Sequence, residues 1–237
     1  MRFPQMNAQR DKQRQDFIKR GLLPDPEKRT SLEDAMTVVP LCEDMCPEFE
    51  REQREYQNNV DPLERIPGTS RIDHTRAVKQ YHRPAAGEEA PLPTDIRTPG
   101  ALVRSLNYLF NELMLEHPFE VTHPFIRDRT RSIRAELTMI REQGSVAISL
   151  TERIARWHLL ALGEMRGKVG FQEQQELEQL RKGACETACG WISAQLTYAL
   201  SLAHAQRALR PRQDGSATGA DTERGRVPRV RNLDPLE

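Results

Sequence analysis

Four arginines in residues 125–141, FIRDRTRSIRAELTMIR, repeat at a helical spacing: Arg127, Arg131, Arg134 and Arg141. On a helix they share one face, and a row of guanidinium forks is chemistry for carboxylates or phosphates, which such forks bind bidentately. The same stretch carries Ile126, Ile133, Leu137 and Ile140 at i, i+7, i+11 and i+14. That apolar stripe is rotated from the arginines by about 100°, so one side of the helix wants a core and its neighbour offers cations. In one reading the arginines are structural, pairing with acidic neighbours and covering apolar surface with their stems. In the other they form a surface for the phosphates of a single strand. Asp128 can pair with Arg131 at i+3 and blunt the field. The structural role is therefore favoured, with phosphate contact secondary. Arg129 lies off the stripe, about 160° from its centre.

Other constellations are weaker. Cys42 and Cys46 are four apart, as are Cys185 and Cys189. Two such pairs suggest a four-thiolate zinc site, but structural knuckles usually place two residues between cysteines. Free thiols acting as small hydrophobes are the simpler expectation. His117 and His123 lie with Glu116 and Glu120 in EHPFEVTHPF, a set that could hold a metal. Its prolines instead predict a corner between two helices, anchored by Phe119 and Phe125. His158, beside Trp157, reads as a core-edge histidine with a satisfied ring nitrogen. There is no nucleophile elbow, phosphate loop or His-Glu-x-x-His motif. Neither a catalytic residue nor a cofactor is assigned, and the expectation is binding, not catalysis.

The elements that must position these residues are helical. Residues 5–20 predict a solvated helix capped by Gly21, and Ser31 an N-cap for a short helix with Leu32 and Met36. In residues 41–57, Pro47 suits the first helical position, and only Phe49 and Tyr56 offer apolar anchors. Residues 73–81 predict another short helix, and the proline-punctuated residues 83–100 an extended, exposed connection. Thr98 and Pro99 open the strongest helix, residues 101–116, where Leu102, Leu106, Leu109 and Leu113 form one stripe. Beyond the 117–124 corner and the arginine helix, Ser149-x-x-Glu152 reads as a capping box for a helix burying Ile154, Trp157, Ala161 and Met165. A last helix starts near Gln172 with Leu177, Leu180, Ala184 and Ala188 in its stripe and extends as far as Leu209, weakened by Gly183 and Gly190. Residues 211–237 lack periodicity and are expected to be disordered. No strand-period segment appears, so the class is all-α. The expected division is a polar amino-terminal helix and linker (1–40), a helical domain (41–182), a divergent helix (183–210) and a disordered tail (211–237).

The 237 residues carry 35 basic and 35 acidic side chains, so no global field favours nucleic acid or an anionic membrane. Apolar runs are too short to span a bilayer, and the amino terminus lacks the apolar core of a secretory signal. An intracellular chain with reduced cysteines is expected.

Four segments in order, CEDMCPEFERE (42–52), VKQYHRPAAG (78–87), FIRDRTRSIRAEL (125–137) and ERIARWHL (152–159), resemble the Sac/GANP family. The resemblance covers about residues 21–181. It implies tetratricopeptide-like helical pairs, a short α-solenoid, leading into a winged helix. It also implies a nuclear scaffold of the transcription-and-export (TREX) type, coupling transcription to mRNA export at the nuclear pore. Partners would be a PCI-type subunit and a small acidic subunit, with weak RNA contact and no membrane. Two departures stand out. Pro40-Leu41 replaces the family's Gly-Thr, and after residue 181 the chain turns to GACETACGWISAQL. The winged-helix half is expected to be missing, as in a truncated isoform, a divergent paralogue or a wrong gene model, which puts docking of the PCI-type partner in question. The alternative to the scaffold is an RNA- or single-strand-binding module built on Arg127, Arg131, Arg134 and Arg141. A metal-dependent enzyme or zinc-stabilised module, built on the cysteines or on His117 and His123, is the third reading.

Overall fold

The computed structural model describes residues 2–23, 38–83 and 90–186, with side chains to residue 182. Regular structure among them is helical, broken only by isolated bridges between Cys42 and Arg97 and between Arg65 and Ile72. No helix among the described residues is long and apolar enough to cross a membrane.

The core is built on α3 (Pro99–Tyr108). Thr98 caps it, its Oγ1 accepting from the Ala101 N–H at 3.2 Å, and Pro99 follows where a missing N–H costs nothing. Leu102, Leu106, Leu109 and Leu113 are all fully buried, as their spacing predicts. The run to Glu116 is not one uniform helix. A π-helical turn, Leu109–Leu113, widens it before the short α4 (Met114–Glu116). Two longer helices pack on this stripe: α5 (Phe119–Met139) through Phe125, Ile126, Ile133 and Leu137, and α6 (Ser145–Glu164) through Leu150, Ile154 and Trp157. α7 (Glu173–Glu186) lies against α6.

Several boundaries differ from the sequence reading. α5 begins at Phe119, so the corner ends at Pro118. Pro124 lies inside the helix on its exposed side, where the lost N–H falls next to solvent. At its other end α5 stops at Met139, and Arg141 adopts a left-handed φ of 53° beyond the helix. α6 begins four residues before the expected capping box, because Val146, Ala147 and Leu150 already face the core; Ser149 is exposed in mid-helix.

At the amino-terminal end, α1 (Phe3–Lys19) ends as expected, with Gly21 at φ 72° just past its cap. Its Phe3 ring packs, tilted, against Phe49 and Tyr56, and Arg10 covers the Phe49 ring and pairs with Asp95. α2 (Glu48–Tyr56) starts one residue later than predicted, with Pro47 as its N-cap. It buries charged side chains, Glu50, Arg51 and Arg54, while Tyr56 stays exposed. Residues 73–81 form no helix. A turn closed by Asp73, which accepts from the Thr75 N–H and hydroxyl, leads into an extended segment. The described part of residues 83–100 is not exposed either: Leu92, Ile96 and Arg97 are fully buried. The helix expected after Ser31, Cys189, and the stretch from 187 to 237 lie outside the described residues.

Candidate functional site: a buried arginine–carboxylate framework

Charged residues within and between the first three sequence motifs converge inside the domain, whereas Glu152 and Arg156 of the fourth pair at the surface. Glu64, fully buried in the 3-10 turn Pro62–Glu64, is a hub. Its Oε2 accepts from Arg54 Nη1 of α2 at 2.5 Å and from Arg129 Nη2 of α5 at 3.1 Å. Its Oε1 accepts from the Val78 N–H at 2.7 Å. Around it, four successive N–H groups of the extended segment find partners. Val78 donates to Glu64, Lys79 to the Met45 carbonyl (3.0 Å), Gln80 to Glu50 (2.8 Å) and Tyr81 to Asp128 (3.1 Å). Three carboxylates and one carbonyl thus replace a neighbouring strand. This is why residues 78–81 need not coil into a helix to satisfy their backbone.

Arg97 makes a second node. Wholly buried, it donates Nε to Glu136 at 2.7 Å, Nη2 to Ser132 at 3.0 Å, and Nη1 to Ser105 and the Met45 carbonyl at 3.2 Å each. Lys79 pairs with the other Glu136 oxygen. Across both nodes, Arg54, Arg129, Arg97 and Lys79 balance Glu64, Glu50, Asp128 and Glu136. Balance matters, because a buried charge without its partner costs several kcal/mol. Burial works against the Arg54 charge, but the adjoining carboxylates outweigh it and keep the guanidinium protonated. Cys46 accepts from Arg54 Nη2 at 3.1 Å; burial first, and Glu50 next, push its thiol far above the usual range. An inert thiol results.

The four stripe arginines do not form one surface track. Arg127 lies with its Nε 3.0 Å from Glu176 Oε2 and donates Nη2 to Gln175. Arg131, half-buried, sits over the Tyr81 ring at 4.1 Å. Arg134 is buried and donates to the carbonyl and side chain of Gln179. Arg141 is exposed past the end of the helix. Arg129, expected to lie clear of any stripe, is buried, bonded to Glu64 and Asp128 and stacked over Phe125 at 4.2 Å.

Glu176 forms the third node. His158 Nδ1 donates to its Oε1 at 2.5 Å, which supplies the satisfied ring nitrogen predicted for His158; His123 Nε2 stands 3.5 Å from its Oε2. Burial alone would raise the Glu176 pKa, but His158 and His123 beside its carboxylate prevail and hold it at about 2. Burial lowers the His158 pKa despite Glu176, leaving a neutral ring that donates from Nδ1. His117 is separated from this group, half-buried beside Glu116, so the EHPFEVTHPF set does not converge. Among the described residues, no group of three or more histidine, cysteine or acidic side chains could hold a metal ion.

The SAC3/GANP family model matches residues 45–187, more than half of the chain and all three nodes. The chain belongs to this family. SAC3 family protein 1 of Schizosaccharomyces pombe is 48% identical over 189 residues, covering 79% of this chain and 18% of that protein. SAC3 family protein B of Arabidopsis thaliana is 33% identical over 183 residues, 72% of this chain and 10% of that protein. Protein xmas of Drosophila melanogaster is 42% identical over 127 residues, 50% and 6% respectively. The chain therefore spans less than a fifth of each relative. In this SAC3/GANP domain the first motif supplies Cys46, Glu50 and Arg51, the second the four backbone donors, and the third Asp128, Arg129 and Glu136. Glu64 and Arg97 fall between the motifs and went unread in the sequence. A charged residue beside apolar neighbours (Leu63 and Ile96) was the available signal.

Proposed function

We propose that this SAC3/GANP domain is a non-enzymatic scaffold. In this reading it is the core-subunit type of a nuclear TREX-like assembly, coupling transcription to mRNA export at the nuclear pore. Its partners are proteins: a PCI-type subunit and a small acidic subunit. One observation carries the reading, the inward turn of charged residues within and between the motifs. Arg54, Arg97, Arg129, Glu64 and Glu136 are all at most 3% exposed and bonded to one another or to the backbone. Groups used this way fix helices and an extended segment in one arrangement, which suits a surface presented to partners. They are unavailable to a substrate. RNA contact is secondary and falls to Arg131 and Arg141, since Arg127 and Arg134 are engaged with α7.

Affinity purification of the tagged chain from nuclear extract, with and without nuclease, tests this. The reading expects a PCI-type subunit and a small acidic protein to be recovered equally in both. Recovery of only nuclease-sensitive material would reject it in favour of RNA binding.

A further inference from the structure

The seat of α7 is unusual in being polar. Among its described side chains, which run to residue 182, only Leu180 is a fully buried hydrophobe; Glu176, at 1% exposure, and Gln179, at 7%, are buried beside it. Opposite them lie His123, Arg127 and Arg134 of α5 and His158 of α6. Nitrogen predominates in this slot beyond what Glu176 uses. His158 Nε2 and Trp157 Nε1 are buried with no hydrogen-bond partner, and Trp157 stacks on His123 with ring centroids 5.4 Å apart. The connector from α6 to α7 turns on Gly167 (φ 77°) and Gly170 (φ 82°), with no other atom within 4 Å of where a Cβ would stand at either. Lys168 pairs with Glu120 at the surface, and Phe171 sets an edge against His123.

We propose that His123, Arg127 and His158 form a carboxylate-binding site filled in cis by Glu176, making α7 a latch keyed onto the domain by one anion. The chemistry selects a carboxylate over a cation. A guanidinium stands 3.0 Å from the bound oxygen and a ring N–H points at the other, so a metal ion would meet donors and positive charge. Two oxygens are needed, since His158 engages Oε1 while Arg127 and His123 lie on Oε2. A glutamine fits the space but offers one oxygen and no charge. The glycine-bearing connector lets the helix part from its seat without disturbing the leucine core of α3, α5 and α6.

Hydrogen exchange on the full chain tests the latch, with Glu176→Ala, Glu176→Gln and Leu180→Ala compared at equal ionic strength in sodium chloride and in sodium formate. In Glu176→Ala, α7 amides should exchange at least roughly tenfold faster while α3 and α5 keep their protection. Formate, filling the vacated site, should restore α7 protection in that variant and leave wild type unchanged. Leu180→Ala should also loosen α7, without a formate response. Should Glu176→Ala not fold, Glu176→Gln decides: selective loosening of α7 supports the latch. Unchanged α7 protection, loss spread evenly over all helices, or a folded Glu176→Ala indifferent to formate would overturn it.

Discussion

Replacing Glu64 by glutamine gives the sharpest test of the buried framework. The substitution keeps shape and removes one negative charge at a position with no solvent exposure. Arg54 and Arg129, at 2% and 3% exposure, would then share Glu50 and Asp128 without their common acceptor. The amide must also turn its NH2 group toward a guanidinium or toward the Val78 N–H, and neither can accept. Breaking a buried pair by removing one partner costs about 3–5 kcal/mol. The exposed Arg104–Glu43 pair is the comparison, 3.0 Å apart with both side chains more than half accessible. Such surface pairs are worth about 0–1 kcal/mol. Urea unfolding of wild type, Glu64→Gln and Glu43→Gln should therefore show a large fall in midpoint for the first variant and almost none for the second, at a common m-value. A loss below about 1 kcal/mol for Glu64→Gln would mean that the node is wet or rearranges freely.

Leu106→Ala and Leu109→Ala should each cost about 2–5 kcal/mol by the same assay, since both leucines are fully buried in the central cluster; losses under about 0.5 kcal/mol in both would place that helix on the surface. Acid should destabilise the fold in two stages of the same sign. His158 is depressed, so its contribution is intact above the unfolded value of about 6.5 and is lost as pH falls below it. Glu176, held at about 2, follows as pH falls below the unfolded value of about 4.3. His123, Arg127 and Arg134 face the same node and keep Glu176 charged through the upper stage. Thermal melts should be flat above about pH 6.5 and decline below it, with His158→Gln removing the upper stage; a melting temperature that rises on acidification to pH 5 contradicts the assignment. Native Cys46 should resist iodoacetamide and react only in denaturant, read by peptide mapping, because the thiol is fully buried and poorly ionised.

The apolar half of the fold was legible in the sequence. Leu102, Leu106, Leu109 and Leu113, and Ile154, Trp157, Ala161 and Met165, repeat at the helical period, and all are buried. The framework was not, because periodicity assigns charged residues to the solvent side. Arg97 and Glu136 are 39 residues apart and Arg129 and Glu64 65 apart, so no local pattern links them. Residues 78–81 looked helical because Ala77, Val78 and Tyr81 fit one face. Three carboxylates and the Met45 carbonyl supply their partners instead, Asp128 from 47 residues away. Arg127 and Arg134 share a face in the sequence, yet their partners on α7, Gln175, Glu176 and Gln179, are polar residues beside its apolar stripe. The boundary errors at Pro124 and Ser149 have one cause. Local capping and breaking rules yielded to helices already anchored by Phe125, Ala147 and Leu150.

The central claim is that the α5 arginines chiefly hold this domain together and that any RNA contact they make is weak and secondary. Single-stranded RNA titrated against wild type and an Arg127→Gln/Arg131→Gln/Arg134→Gln variant over a range of salt, with melting temperatures recorded in parallel, tests it most directly. Binding should be weak throughout and fall only slightly in the variant, whose melting temperature falls because Arg134 is buried and Arg127 pairs with Glu176. Tight binding with a steep salt dependence, lost in the variant at an unchanged melting temperature, would contradict it.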